Sequence, residues 1–351
     1  MTLAGDALFN LMLNAVCSFW LALGVTLAIR RVASPLHASV GIGLLLLPLA
    51  KLFWDLRVGI PAGSFFWASE QGVKQRLGSF QIGFGVHPWG AAIDGYLWAQ
   101  HDGGRSPQSI ADLLCRALRF RVSVYAASVV SYAVLAVSIV RALLCCFRLT
   151  RFSARVRALL TTHTTLERRS LGRRSVRVYT SADIGGVPFA GGLFRPYVVL
   201  PAILNDRLTV EEREAVIQHE FAHIRHFDLA LLVPLEIACA FLWFVPGLQW
   251  LLRKLRSLLE ERADDCAVAA GVARASLATA LLTTAELTVH DGRVPVLAIS
   301  RGPSTLRLRV QRLLAPRPVR VVKPWLALAR GLLLLWLVLG TLQASACGNH
   351  P

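Results

Sequence analysis

Charge is scarce in this chain, and acid especially so. Only 17% of the 351 residues are charged, and 21 Asp and Glu stand against 38 Lys and Arg, for a net charge of +17. The seven cysteines (Cys17, Cys115, Cys145, Cys146, Cys239, Cys266 and Cys347) contain no CxxC pair, which argues against a thiolate metal site or a disulfide framework. They read instead as small apolar residues in buried helices. No internal repeat or low-complexity tract stands out. No basic region precedes the first apolar run, where Asp6 stands, so a cleaved signal peptide is not expected. What is abundant is apolar surface. Hydrophobic residues make up 55% of the chain and the mean hydropathy is +0.53, above the roughly 45–50% of ordinary soluble domains. A lipid bilayer is the simplest partner for that excess. The arginines cluster beside apolar stretches, a pattern that sets membrane topology, so direct nucleic-acid binding is not expected.

Four apolar runs are candidates for transmembrane helices. Residues 7–29 carry no charge and span about 34 Å as a helix, enough to cross a bilayer. Residues 32–50 and 122–140 follow, and the fourth runs from Trp325 to Ser345 with Arg330 near its start. Segment 141–178 holds ten arginines and one acid, and 293–323 holds eight basic residues and no acid, whereas loop 56–120 holds six basic and four acidic residues. The positive-inside rule then places the N-terminus and loop 56–120 outside and the two basic segments in the cytoplasm. Between the third and fourth runs, 175–181 (SVRVYTS) and 196–200 (PYVVL) alternate with Gly185, Gly186, Gly191 and Gly192 and predict a small antiparallel sheet. Thr209 and Glu212 form a capping box opening a helix over about 211–227. The fold class expected is mainly α: a polytopic membrane protein with a gluzincin-like α+β zinc domain. Its parts are 1–140 (membrane region), 141–323 (zinc domain on the cytoplasmic side) and 324–351 (last helix and a short tail).

That helix carries QHEFAHIRHFD at 218–228. His219 and His223 are four apart, so both imidazoles leave one face and can chelate one Zn²⁺. Glu220 stands beside the first of them as the general base, within reach of a water that the metal acidifies. A histidine six residues past His223 would complete a metzincin set, but Leu229 occupies that position, so the third ligand comes from elsewhere. EERADDCA at 260–267 offers two registers: Glu260 as ligand with Asp264 orienting a histidine, or Glu261 with Asp265. A helix face salt-bridged to Arg256 and Arg262 is the competing meaning of such a run. Residues 229–252 look like another membrane span interrupted by Glu236, yet one crossing would put Glu260 across the bilayer from His219. Pro246-Gly247 can instead turn the chain back, making a membrane-associated hairpin over about 229–259.

The segments GLFRPYVVLP (192–201), EEREAVIQHEFAHIRHFD (211–228) and FLWFVPGLQWLLRKLRSLLEERADDCAVAAG (241–271) together resemble the M56 peptidases, the metalloprotease parts of the β-lactam sensor-transducers BlaR and MecR. The resemblance covers about 125–271. It implies Zn²⁺ on His219, His223 and Glu260, with Glu220 as base, and its ExxCD or ExxAD pattern matches Glu260, Ala263 and Asp264. It also implies the cytoplasmic membrane of a bacterium and a protein substrate, either a cytoplasmic repressor or the enzyme itself. M48 membrane proteases share a similar ExxxD and are the nearest rivals. Two features depart from the sensors. Few residues follow the last apolar run, ending CGNHP, so no penicillin-binding domain is expected there. Val245 also precedes the hairpin proline where relatives often have a polar residue.

Other residues carry weaker signals. His226 can face the site as an oxyanion donor, though a polar helix end is the commoner meaning, and Asp228 can hydrogen-bond a ligand histidine. Trp89 and Trp98 suggest a membrane boundary. RRSLGRR at 168–174 reads as a topology anchor or, less often, a self-cleavage site. A non-catalytic transducer with a structural zinc is the alternative function, but such sites are usually closed by four ligands and only three are found. A transporter would need more intramembrane charge than Lys51, Glu236 and Arg330 provide.

Overall fold

The computed structural model describes residues 2–32, 37–58, 66–68, 79–84, 120–162, 165–172, 174–182, 187–291 and 303–315. The fourth apolar run, Trp89, Trp98, Cys115, Cys347, Gly185 and Gly186 lie outside the described residues. Helix α1 (Thr2–Val32) contains the first apolar run, and α2 (Ala38–Val58) holds 38–50 of the second. Strands β1 (Phe66–Ala68), β2 (Ser79–Phe84) and β3 (Phe120–Ser123) pair antiparallel in that order. The third run does not end at Arg141. It continues into α3 (Val124–Thr162), so the boundary drawn at 140 falls inside one helix of 39 residues. Nothing in 141–162 breaks a helix: no proline or glycine occurs there, and arginines are good helix formers. Among the described residues, Ser128–Leu160 of α3 is the helix long and apolar enough to cross a membrane, and Ala38–Phe53 of α2 is a shorter apolar helix.

The chain then forms β4 (Thr165–Leu171), β5 (Arg174–Ser181), β6 (Phe189–Gly191) and β7 (Tyr197–Pro201). The arginine-rich 168–174 stretch is the β4–β5 hairpin, turning at Gly172. The sheet has the order β4-β5-β7-β6, and β5 runs parallel to β7. It is therefore mixed, not antiparallel as the strand pattern predicts. The 196–200 run comes back beside β5 in the same direction after β6 has paired antiparallel with it. That leaves β6 as an edge. Behind the sheet, Val176, Val178, Val198 and Leu200 bury their side chains against Ile217 and Phe221 of α5 (Val210–Arg225), after the short α4 (Ala202–Arg207). Each such side chain contributes about 1.5–3 kcal/mol on burial. Thr209 and Glu212 make the capping box in both directions, satisfying donors that α5 would otherwise leave unpaired.

Helix α5 stops at Arg225, and a new helix, α6 (Asp228–Phe241), starts three residues on. Phe227 at the break has φ 57°, a left-handed conformation uncommon for an aromatic residue. After α6 the chain turns at Pro246-Gly247, where Gly247 has φ 84°, and returns as α7 (Leu248–Ala269). Helices α6 and α7 form a helical hairpin. Its apolar face, with Leu248, Leu251 and Leu255, packs against Phe19 of α1 and Leu45 and Leu52 of α2. Glu236, the charge interrupting that run, forms an ion pair with Arg256 across the hairpin. Helices α8 (Arg274–Asp291) and α9 (Pro303–Leu314) complete the described chain, and Ala215, Ala267, Leu277 and Leu313 form a small core where α5, α7, α8 and α9 meet.

The edge strand is held by its turn. Gly192 has φ +77°, and a Cβ there would sit 2.2 Å from the Arg195 carbonyl oxygen. Gly192→Ala is expected to cost about 1–3 kcal/mol through backbone strain alone, with the contact adding to it. Thermal unfolding in detergent reads the loss, with Arg195→Ala as a near-neutral control. A Gly192→Ala protein as stable as that control would contradict the turn described.

Candidate metal centre

Helix α5 presents His219 and His223 one turn apart, their ring planes near perpendicular and their Nε2 atoms 3.3 Å apart. The hairpin returns α7 against α5 and brings Glu260 to them. Its Oε2 lies 3.4 Å from His219 Nε2, and its Oε1 lies 3.9 Å from His223 Nε2. Ligand atoms on a tetrahedral zinc, bonded at about 2.0–2.1 Å, are about 3.3 Å apart. The three groups are thus spaced as ligands of one such ion, and among the described residues His219, His223 and Glu260 form the group that can hold a metal. Of the two registers, it is Glu260 that lies beside the histidines. Glu261 and Asp265 lie toward Arg312 on α9 instead.

The outward nitrogens are also engaged. His219 Nδ1 lies 3.0 Å from Asp264 Oδ1, and His223 Nδ1 lies 2.7 Å from Asp228 Oδ2. Both Nε2 atoms thus point toward Glu260 and each other, where an ion would lie, with the carboxylates beside the outward nitrogens to set ring orientation. Asp228 reaches His223 because of the break at Phe227. In a continuous helix a residue five places on would lie about 140° away around the axis. Arg262 of α7 pairs with Asp228 from the other side. His226 does not join the cluster: its Nε2 lies 3.4 Å from Cys266 Sγ.

Glu220 is buried on α5 and lines a cleft together with His223 and Glu260. The opposite wall of the cleft is the edge strand β6, with Phe189, Ala190 and Gly191. Leu229, Leu232 and Phe227 add apolar lining, and the Arg174 guanidinium, also at the cleft, lies 4.3 Å over the Phe227 ring.

Arg309, a residue the sequence reading assigned to a topology-setting segment, lies within this centre. Its guanidinium is almost wholly buried, with Nε and Nη2 donating to the two Asp264 oxygens at 2.8 and 2.7 Å and Nη1 donating to Glu260 Oε2 at 2.7 Å. Nothing local in the sequence announces a pair separated by 45 residues, although an arginine on the buried face of an amphipathic helix is a signal in itself. Four carboxylates (Glu220, Asp228, Glu260 and Asp264) converge here with two guanidiniums. Burying such an excess of negative charge is costly, and a dication between the neutral histidines would remove it. Burial pushes His219 down, but the Asp264 and Glu260 carboxylates outweigh it and raise its pKa to about 9, so a proton is held where the cation would sit. Burial pushes Asp264 up, but Arg309 and His219 outweigh that and hold it at about 2.

Two outcomes follow for metal binding. Zn²⁺ must displace the proton from His219, so affinity is expected to rise about tenfold per pH unit from pH 7 and to level off near pH 9. Competition with a chelator measures this, and a flat profile over that range would count against the coupling. Glu260→Gln is expected to strip the protein of zinc while Glu261→Gln keeps it. Metal analysis giving the reverse would move the third ligand by one residue.

Comparison with known proteins adds one finding. No curated protein matches the chain. The family described as BlaR1 peptidase M56 matches residues 108–313, a stretch that runs from before α3 through the arginines of α9 and includes every residue of the cluster. With more than half of its length so matched, the chain belongs to the BlaR1 peptidase M56 family.

Proposed function

We propose that the protein is a zinc-dependent endopeptidase embedded in the bacterial cytoplasmic membrane, with its catalytic face toward the cytoplasm. The observation that carries the reading is the convergence of His219, His223 and Glu260 at the spacing of one tetrahedral ion, with Glu220 in the same cleft. Family membership supports metallopeptidase chemistry. Bound to these three residues, Zn²⁺ supplies Lewis acidity to the attacking water and the scissile carbonyl. Glu220 takes the proton from that water and returns it to the leaving amine. With the metal bound, Asp264 and Asp228, beside the outward Nδ1 atoms, would favour the tautomer that leaves Nε2 unprotonated. Three protein ligands leave a coordination position for water, which favours a catalytic site over a structural one.

The substrate is a protein segment in extended form. The unpaired edge of β6 runs along the cleft, and a strand added there would lie beside Glu220 and Glu260. By analogy with the family, that protein is a cytoplasmic repressor or the chain itself, and the role is signal transduction. Membrane embedding is supported by the exposed apolar surface of α3, where Val130, Val140, Leu143 and Phe147 are at least half exposed. The apolar α6–α7 hairpin would lie in or against the same bilayer, and α1, α2 and the 325–345 run would be further crossings.

Glu220→Gln separates binding from chemistry. The variant is expected to keep zinc at the wild-type stoichiometry and to lose at least about 10²-fold in cleavage of co-expressed candidate repressors and of the chain itself. Equal cleavage by wild type and variant would remove the enzymatic reading.

A further inference from the structure

Helix α9 packs on α8 and reaches α7 through two arginines. Arg309 and Arg312, three apart and so on one face, each take an acidic pair one turn apart: Glu260 with Asp264, and Glu261 with Asp265. The two grips differ in what they touch. Arg312 is partly exposed and makes ordinary surface pairs, which contribute little. Arg309 is buried, and one planar guanidinium spans the third metal-ligand candidate and the carboxylate against the first.

We propose that Arg309 is a positioning residue of the metal centre, clamping the Glu260 carboxylate in its ligating orientation and locking it to the Asp264–His219 pair. The proposal rests on the zinc reading. Glutamate has three rotatable side-chain bonds, and the Glu260 side chain keeps 20% of its surface exposed, so packing alone leaves it room to turn away. Arg309 removes that freedom. Asp264 holds Nε and Nη2 through both of its oxygens, so the guanidinium plane is fixed and Nη1 points at Glu260 Oε2. The arginine also supplies the second positive charge that four carboxylates around one dication require. Lysine cannot substitute, because an ammonium is a point charge and cannot span both carboxylates in a fixed plane. The family match extends to residue 313 and so includes this helix.

The test compares full-length wild type, Arg309→Ala, Arg309→Lys and Arg312→Ala in detergent, read by Zn²⁺ affinity against a chelator and by the visible spectrum of bound Co²⁺. Arg312→Ala is expected to match the wild type in both. Both Arg309 variants are expected to bind Zn²⁺ about 10–100-fold more weakly and to give an altered Co²⁺ spectrum. Sub-denaturing guanidinium ion should restore the spectrum of Arg309→Ala. If Arg309→Ala does not fold, Arg309→Lys carries the comparison. Wild-type affinity and spectrum in a folded Arg309 variant would overturn the proposal, as would equal losses in the Arg309 and Arg312 variants. A wild type that binds neither metal would overturn the zinc reading itself, and this inference with it.

Discussion

Four carboxylates packed around two imidazoles, mostly out of water, would repel one another, and the arrangement of the helices around them answers that repulsion. Glu220 and Asp264 are nearly fully buried, as is Asp228. Charge buried in this way persists only when paired and hydrogen-bonded. Arg262 meets Asp228, Arg309 meets Asp264 and Glu260, and a dication on the histidine nitrogens would complete the balance. The guanidiniums come from α7 and α9, the histidines and Glu220 from α5, and Asp228 from the start of α6. The centre therefore draws on four helices. A displacement of any one leaves a carboxylate unpaired, which ties local packing directly to chemistry.

Two local backbone features make the convergence possible. The left-handed Phe227 ends α5 and redirects the chain, so that Asp228 comes back to His223. The αL glycine at 247 closes the hairpin and returns α7 along α6, bringing Glu260 to the same end as His219. Neither feature lies in the metal cluster, yet both determine which side chains can reach it. The apolar packing of α7 on α1 and α2 then fixes the hairpin against the rest of the chain. Residues of α1 and α2 thus help set the position of Glu260. Motion of those helices has a direct physical route to the candidate metal centre.

The legible parts of the sequence were those with local signatures. The capping box at Thr209, the one-turn histidine spacing and the Pro246-Gly247 turn each depend on neighbours a few residues apart, and each is found where the pattern puts it. The β-rich segments were legible as strands but not in their direction, because a parallel β5–β7 pair is specified by how the intervening β6 folds back. Helix α3 was cut short at Arg141 because a charge ends a hydropathy run without ending a helix. Arg309 was hidden for a related reason. In a segment with eight basic residues and no acid, each arginine looks alike until its partners, 45 and 49 positions away, are known. Glu260 and Glu261 are alike in local spacing; the family pattern favours Glu260, and the orientation of α7 puts Glu260 beside the histidines.

Zinc K-edge X-ray absorption on the intact protein in detergent tests the centre most directly. The account predicts a first shell of light atoms near 2.0–2.1 Å containing the multiple-scattering signature of two imidazoles. A sulfur shell near 2.3 Å, a single imidazole or none, or a purified protein that holds no zinc would contradict it.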